Sequence, residues 1–184
     1  MDGLKIARKI RQIRLQNQLT LQKLAEKTGF TKSYLSMIES GKKSPPIASL
    51  SKIASSLEVD ITAFFERKMP EEQISLVRDG EQEVLVRDGT VFGYRYESLA
   101  PAKRRKKMEP FIITLPSHSK EEDRFDHEGE ELFYVLDGRI NFYYGDKTYK
   151  LKKGDCVYFD ASIPHRGEGV GKKPAKALVV IYTP

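Results

Sequence analysis

From Leu4 to about Phe65 the apolar residues recur every three or four positions, the spacing that lays a stripe along a helix. Leu4, Ile6, Ala7, Ile10 and Ile13, with Arg14, make the first stripe beside basic residues. Thr20 ahead of Leu21, Leu24 and Ala25 reads as an N-cap, and Gly29 as the left-handed end of that short helix. Thr31 opens the next helix, Leu35 and Ile38 face inward, and Gly41 stops it. Ser44-Pro45-Pro46 turns into a fourth helix bearing Ile47, Leu50, Ile53, Ala54 and Leu57. Asp60 then caps a fifth, running through Phe64 and Phe65. The first part of the chain is therefore expected to be an all-α bundle of five short helices.

Beyond Met69-Pro70 the period changes to two. Leu85-Val86, Val91-Phe92, Tyr94 to Tyr96, Phe111 to Leu115, Leu132 to Leu136, Ile140 to Tyr144, Val157 to Phe159 and Leu178 to Tyr182 are short β-prone runs. Asp79-Gly80, Asp88-Gly89, Asp137-Gly138, Gly145-Asp146 and Gly154-Asp155 supply turns between them. The segment LVRDG occurs at 76–80 and again at 85–89, which reads as a repeated strand and turn. Many short strands with Gly/Asp turns describe an all-β sandwich or small barrel. Residues 1–66 and 74–184 are thus expected to be separate domains, with 67–73 as linker.

Charge sharpens the division. Residues 1–70 hold 13 Lys+Arg against 6 Asp+Glu, a net of +7; the remainder holds 32 − 13 = 19 basic and 26 − 6 = 20 acidic residues, a net of −1. The whole +6 excess lies in the helical part, and a localised cationic module suits a polyanionic partner. Nine Tyr and nine Phe argue against a disordered chain. A single cysteine, Cys156, rules out an intramolecular disulfide and points to a reducing cytoplasm. The longest apolar run, Ala177 to Tyr182, is far below the roughly 18 residues of a membrane span.

The sharpest signal is the pair of helices flanking Gly29. Ala25 is small where the second helix crosses close, and Gly29 supplies a positive φ. With Leu35 and Ile38 inward, Lys32, Ser33, Ser36, Met37 and Ser40 point out, a set of short hydroxyls and a lysine that can reach base edges in a major groove. Lys42 and Lys43 fall where phosphates would run. Thr31 and Tyr34 are further candidates, Thr31 as cap and Tyr34 as core or phosphate contact. The stretch LTLQKLAEKTGFTKSYLSMIESGKKSPPIASLSKIASSLEV resembles the helix-turn-helix of Cro/C1-type (xenobiotic-response-element family) transcriptional regulators, over about Leu4 to Phe65. The resemblance implies double-stranded operator DNA as partner. Many members carry a phosphate-bonding Gln directly after the second helix cap, where this sequence has Leu21.

The three histidines, 118, 127 and 165, all follow the linker. His127-Glu-Gly-Glu-Glu131 runs into a strand and a tight turn at Asp137-Gly138, and Gly154 to Pro164 leads to His165 at the end of a later strand. These segments resemble the two motifs of the cupin domain, a small double-stranded β-helix barrel, over roughly residues 105–182. Cupins hold a divalent metal with two His and a Glu of the first motif and one His of the second. The resemblance carries over to His127, Glu131 and His165; Phe125 stands where the other His would be, and Asp160, Ser162 and Gly169 replace a Pro, a Gly and an Asn. Two imidazoles and a carboxylate suit a borderline divalent ion. They also suit a pocket with no metal, or a weakly held one, that hydrogen-bonds an organic effector, and that is the preferred reading.

Alternation places Phe133 and Val135 with Glu131 inside the barrel, with Ile140, Phe142 and Tyr144 facing them from the next strand. Phe125, Tyr158 and Phe159 are expected nearby, giving an aromatic small-molecule pocket. His118 reads as a loop residue, and the run from Lys103 to Lys107 as a solvated loop or an anion contact. A Cro/C1-like head on a cupin resembles a class of bacterial transcription factors, repressors by default. In that class the barrel senses a metabolite and pairs two subunits, without being an enzyme. The alternatives are a metal-dependent cupin enzyme that controls its own gene, and an antitoxin-like regulator that binds another protein.

Overall fold

The computed structural model describes residues 3–65, 73–86, 93–103, 106–117 and 124–182. The expected strand Val91-Phe92, the turn at Asp88-Gly89, most of the linker, Arg104-Arg105 and His118 lie outside the described residues. The chain divides into two compact units, Met1–Ile74 with Pro101–Lys106, and Ser75–Ala100 with Lys107–Pro184.

The first unit contains α1 (Gly3–Gln16), α2 (Leu21–Thr28), α3 (Lys32–Glu39) and α4 (Ile47–Ser56). The Thr20 hydroxyl accepts from the Lys23 N–H at 3.1 Å and that of Thr31 from the Tyr34 N–H at 3.1 Å, so both short helices begin on a side-chain cap. Gly29 ends α2 in the left-handed region, φ +70°. Helix α4 is buried on most of its surface and forms the centre of the bundle, with Ile10, Leu24, Leu35, Ile38 and Ile53 almost wholly excluded from solvent. The expected fifth helix is not an α-helix. Asp60 Oδ1 accepts from both the N–H and the hydroxyl of Thr62, and the five residues Ile61–Phe65 close into a 3₁₀ turn that buries Phe64 and Phe65. Among the described residues, four α-helices and that turn replace the five helices. In the same unit Lys106 Nζ, at the end of the basic run, lies 3.1 Å from Asp60 Oδ2.

The second unit is rich in antiparallel strands: β1 (Glu83–Val86), β2 (Arg95–Ser98), β3 (Met108–Leu115), β4 (Glu130–Asp137), β5 (Arg139–Tyr144), β6 (Lys147–Lys152), β7 (Cys156–Asp160), β8 (His165–Gly169) and β9 (Ala175–Tyr182). They form a six-stranded sheet, β1-β2-β3-β9-β4-β7, and a three-stranded sheet, β6-β5-β8. The inner faces meet through aromatic rings: Phe133 of β4 lies 5.2 Å from Phe142 of β5, and Phe142 5.1 Å from Phe159 of β7. Two of these strands carry little hydrophobic signal. β6, Lys-Thr-Tyr-Lys-Leu-Lys, has only Tyr149 and Leu151 between polar residues and is almost wholly exposed. β8, His-Arg-Gly-Glu-Gly, is buried but carries glycines because neighbours leave no room: a Cβ on Gly167 would stand 2.7 Å from Leu115, and one on Gly169 2.9 Å from the Leu115 carbonyl oxygen. The two LVRDG copies also part company, since Leu85-Val86 lie in β1 while 76–78 form no strand and Leu76 is exposed.

Candidate functional site

On the helical unit, α3 separates two kinds of residue. Leu35, Ile38 and Glu39 are buried, while Lys32, Ser33, Ser36, Met37 and Ser40 are exposed. Lys42 and Lys43 follow at the helix end, exposed, with both N–H groups donating to the Met37 carbonyl at 2.9 and 3.2 Å. Thr31 is the cap. Tyr34 is half-buried, its hydroxyl 3.3 Å from Ser49 Oγ and its ring edge-on to Phe30 at 5.2 Å, so it braces α3 against α4. Lys43 Nζ sits 5.1 Å from the centroid of that ring. The eight candidate residues thus run along α3 from its N-cap to the turn after it, six of them as surface groups and Thr31 and Tyr34 in bracing roles as well.

One pair on this unit escaped the motif reading. Arg14 of α1 donates through Nε and Nη2 to both carboxylate oxygens of Glu39, at 2.6 and 2.8 Å, and both side chains are buried. Its Nη1 also donates to the Leu19 carbonyl at 2.6 Å. A two-point clamp of this kind fixes the angle of α3 against α1 as well as its distance. The signal was present: the helical period places Arg14 on the apolar stripe, where a lone cation needs a buried anion.

In the second unit, Glu131 on β4 and His165 at the start of β8 converge with His127 from the segment before β4. The ligand atoms of the three lie within 4.8 Å of one another, and all three residues are buried. His127 Nε2 is 2.6 Å and His165 Nε2 3.6 Å from the same oxygen, Glu131 Oε1. Each Nδ1 lies 3.0 Å from a backbone carbonyl, of Glu128 for His127 and of Ile163 for His165. An Nδ1–H donated to a carbonyl leaves the Nε2 lone pair facing the centre, the orientation a metal-ligating imidazole requires. Burial disfavours a charged His127, but the Glu131 carboxylate outweighs it and raises that imidazole above its ordinary pKa. Burial likewise opposes ionisation of Glu131, and hydrogen bonds from His127 and His165 override it, holding the carboxyl at about 2. Two imidazole nitrogens and one carboxylate oxygen are a donor set that fits a divalent ion.

Phe125 fills the position of the missing histidine. Its backbone exchanges two 2.8 Å hydrogen bonds with His165, and its half-buried ring lies 6.4 Å from the imidazole. Phe133 and Phe142 are packed beneath the centre, and Phe159 stands 4.8 Å from His165. Tyr144 sits at the rim, half-buried, its hydroxyl donating to the Asp160 carbonyl at 3.0 Å. Tyr158 does not join the pocket. It is 65% exposed and bonds Glu130 on the outer face, because adjacent residues of a strand point to opposite sides and Phe159 takes the inner one. Two tyrosines of the β1–β3 edge take an inner position instead. Tyr94 and Tyr96 are buried, with the Tyr94 ring 5.9 Å from Phe125 and its hydroxyl donating to the Gly167 carbonyl. Burial pushes both phenols well above their usual pKa. Their spacing, Tyr-x-Tyr on one face of a strand, was the available sign.

A helix-turn-helix head and a barrel centred on two histidines and a glutamate define a class of two-part protein. Residues 10–64 match the helix-turn-helix family and residues 111–181 the cupin domain family. The chain is 28% identical over 176 residues to the HTH-type transcriptional regulator SutR of Escherichia coli, covering 95% of this chain and 93% of SutR. It is 37% identical over 89 residues to the HTH-type transcriptional regulator SinR of Bacillus subtilis, covering 48% of this chain and 79% of SinR. A crystal structure of an HTH_3 family transcriptional regulator from Vibrio cholerae matches at a TM-score of 0.60 and 27% identity, covering 100% of this chain and 98% of that one. The fold alone is shared with Fe(II) HppE, hydroxypropylphosphonic acid epoxidase, of Streptomyces wedmorensis, at a TM-score of 0.51 and 23% identity over 99% of this chain and 100% of that one. The chain belongs to the HTH-type transcriptional regulators, with a cupin domain after the helix-turn-helix.

Proposed function

We propose that this protein is a sequence-specific, DNA-binding transcriptional regulator of the cytoplasm whose cupin barrel binds a small-molecule effector and tunes operator affinity. The observation that carries the reading is the split of α3 into a buried face and an exposed face bearing Lys32, Ser33, Ser36 and Met37. Hydroxyls and a lysine at the front of such a helix reach base edges, a methionine packs on a thymine methyl, and Lys42 and Lys43 hold phosphates. Two heads are needed, because one eight-residue helix makes too few base contacts for tight selection; half-sites about 34 Å apart then make affinity sensitive to the spacing of the pair. An effector with unequal affinity for two dimer arrangements shifts that spacing.

His127, Glu131 and His165 would hold a divalent ion in the barrel, with Phe125 in place of a fourth protein ligand. Bound there, the ion would supply a Lewis-acidic anchor for an oxygen-bearing effector. Phe125, Phe133, Phe142 and Tyr144 surround that point with apolar surface and exclude water from it. We assign no catalytic residue, and the regulators named above support that assignment.

The test is selection from a randomised duplex pool at low ionic strength, followed by titration of the recovered site. Lys32→Ala and Ser36→Ala should each weaken the selected site about tenfold or more relative to random duplex. Lys42→Ala should weaken all duplexes alike and reduce the salt slope by about one. A protein that ignores the whole pool at low salt sinks the reading.

A further inference from the structure

The second unit is near neutral as a whole, yet its cations are unevenly spread. On the three-stranded sheet, Leu151 and Tyr149 of β6 pair with Ile140 and Phe142, the inward residues of β5. Residues directly opposite on antiparallel strands share a face, so Lys152 with Arg139 and Lys150 with Asn141 take the outer one. Lys153 follows directly after β6. The segment after β8 comes to the same place: the Val170 N–H donates to the Arg139 carbonyl at 2.8 Å, and a Cβ on Gly171 would stand 3.9 Å from the Arg139 guanidinium, with Lys172 and Lys173 next in the chain. All six of these cations are exposed, and among the described residues none enters an ion pair.

Nearby acids do not offset them. Asp137 stands opposite Lys176 in register, Asp146 beside Lys147 in the far turn, and Glu168 lies 3.7 Å from Arg166. Asp155 remains, its carboxylate accepting the Lys152 N–H at 2.9 Å, so the cluster keeps 6 − 1 = +5. Like charges directly opposite on paired strands destabilise a sheet, and a bound polyanion relieves that cost at Arg139 and Lys152. Asn141 and Thr148 share the face with the cations, which completes the set of side chains that hold phosphate oxygens. A protein partner would need an aromatic or aliphatic anchor, and apart from Tyr143 the strand positions of this face offer none. Single-stranded nucleic acid would need an open ring on which to stack bases, whereas Arg166 lies over the Tyr143 ring at 4.7 Å.

We infer that the outer face of the β6-β5-β8 sheet is a second phosphate-binding surface, which holds the backbone of duplex DNA without reading its sequence. This deepens the proposed function and rests on it for the choice of a duplex. The test uses the full chain and a long random duplex. Arg139→Gln, Lys150→Gln, Lys152→Gln and Lys153→Gln together should reduce the slope of log affinity against log salt by about two to four. Lys107→Gln with Lys176→Gln, exposed lysines elsewhere in the same unit, should leave the slope in place. On the unsubstituted protein, duplex at about ten times its Kd should slow acetylation of Lys150, Lys152, Lys153, Lys172 and Lys173 roughly tenfold, read by peptide mass, and leave Lys107 unprotected. An unchanged slope, an equal fall in the Lys107 and Lys176 variant, or unprotected lysines overturns the inference; so does equal protection by single-stranded DNA of the same length. If Lys42→Ala still lowers the slope in that event, the proposed function survives. A slope that falls with the four substitutions while Lys32→Ala and Lys42→Ala change nothing keeps this surface and removes the proposed reading helix.

Discussion

Arg14 and Glu39 are each unremarkable in composition, yet together they set where α3 sits. Removing one partner of a buried pair leaves an uncompensated charge, which costs about 3 kcal/mol or more, whereas exposed pairs such as Lys27–Glu58 contribute little. Glu39→Ala should therefore lower stability by about that amount in urea unfolding. Arg14→Met with Glu39→Leu should regain much of it. If the single variant were neutral, the clamp would be an accident of packing. In the barrel, His127→Ala removes one of the three proposed ligands, and dialysis against Ni²⁺ should then leave the protein without stoichiometric metal. Because a proton must leave the raised-pKa His127 before an ion can bind, loading should weaken about tenfold per pH unit below that pKa. Loading independent of acidification would remove His127 from the site. The resemblance to the two cupin motifs singled out His127, Glu131 and His165, and the fold brings these three side chains together. Tyr158, expected in the pocket beside Phe159, faces outward because adjacent residues of a pleated strand point to opposite sides.

At the scale of elements, legibility followed periodicity. The caps Thr20 and Thr31 and the end at Gly29 are local chemistry and could be read directly. β6 and β8 could not, since one offers only Tyr149 and Leu151 between polar residues and the other is shaped by contacts distant in sequence. β8 makes that dependence measurable. A methyl at Gly167 meets the tip of the Leu115 side chain at 2.7 Å, which can yield; one at Gly169 meets the carbonyl oxygens of Leu115 and Pro116 at 2.9 and 3.0 Å, which cannot. Gly169→Ala should cost about 3 kcal/mol and Gly167→Ala about 1 kcal/mol in denaturant unfolding. The reverse order would mean that the β8 backbone moves more freely than its pairing to β5 implies. The 3₁₀ turn at Ile61–Phe65 belongs to the same class: its apolar residues were evident, but five residues tied to Asp60 lack the length for an α-helix.

For the whole molecule, the two units carry separable optical reporters. The chain has no tryptophan, and of its nine tyrosines only Tyr34 belongs to the helical unit, so tyrosine emission reports the barrel while ellipticity at 222 nm reports the four helices. A ligand that binds one folded unit stabilises that unit by RT ln(1 + [L]/Kd), about 2.7 kcal/mol at a hundred times Kd. Ni²⁺ at that excess should raise the midpoint followed by tyrosine emission and leave the 222 nm midpoint in place. That outcome bears on how sensing would reach DNA. If the barrel acts by setting the spacing of two heads, each head folds with the same stability whether or not the barrel is filled, and only operator affinity changes. If both midpoints rise together, the ion's binding energy also enters the folding of the head, and the coupling runs through order within one chain rather than through the geometry of the pair.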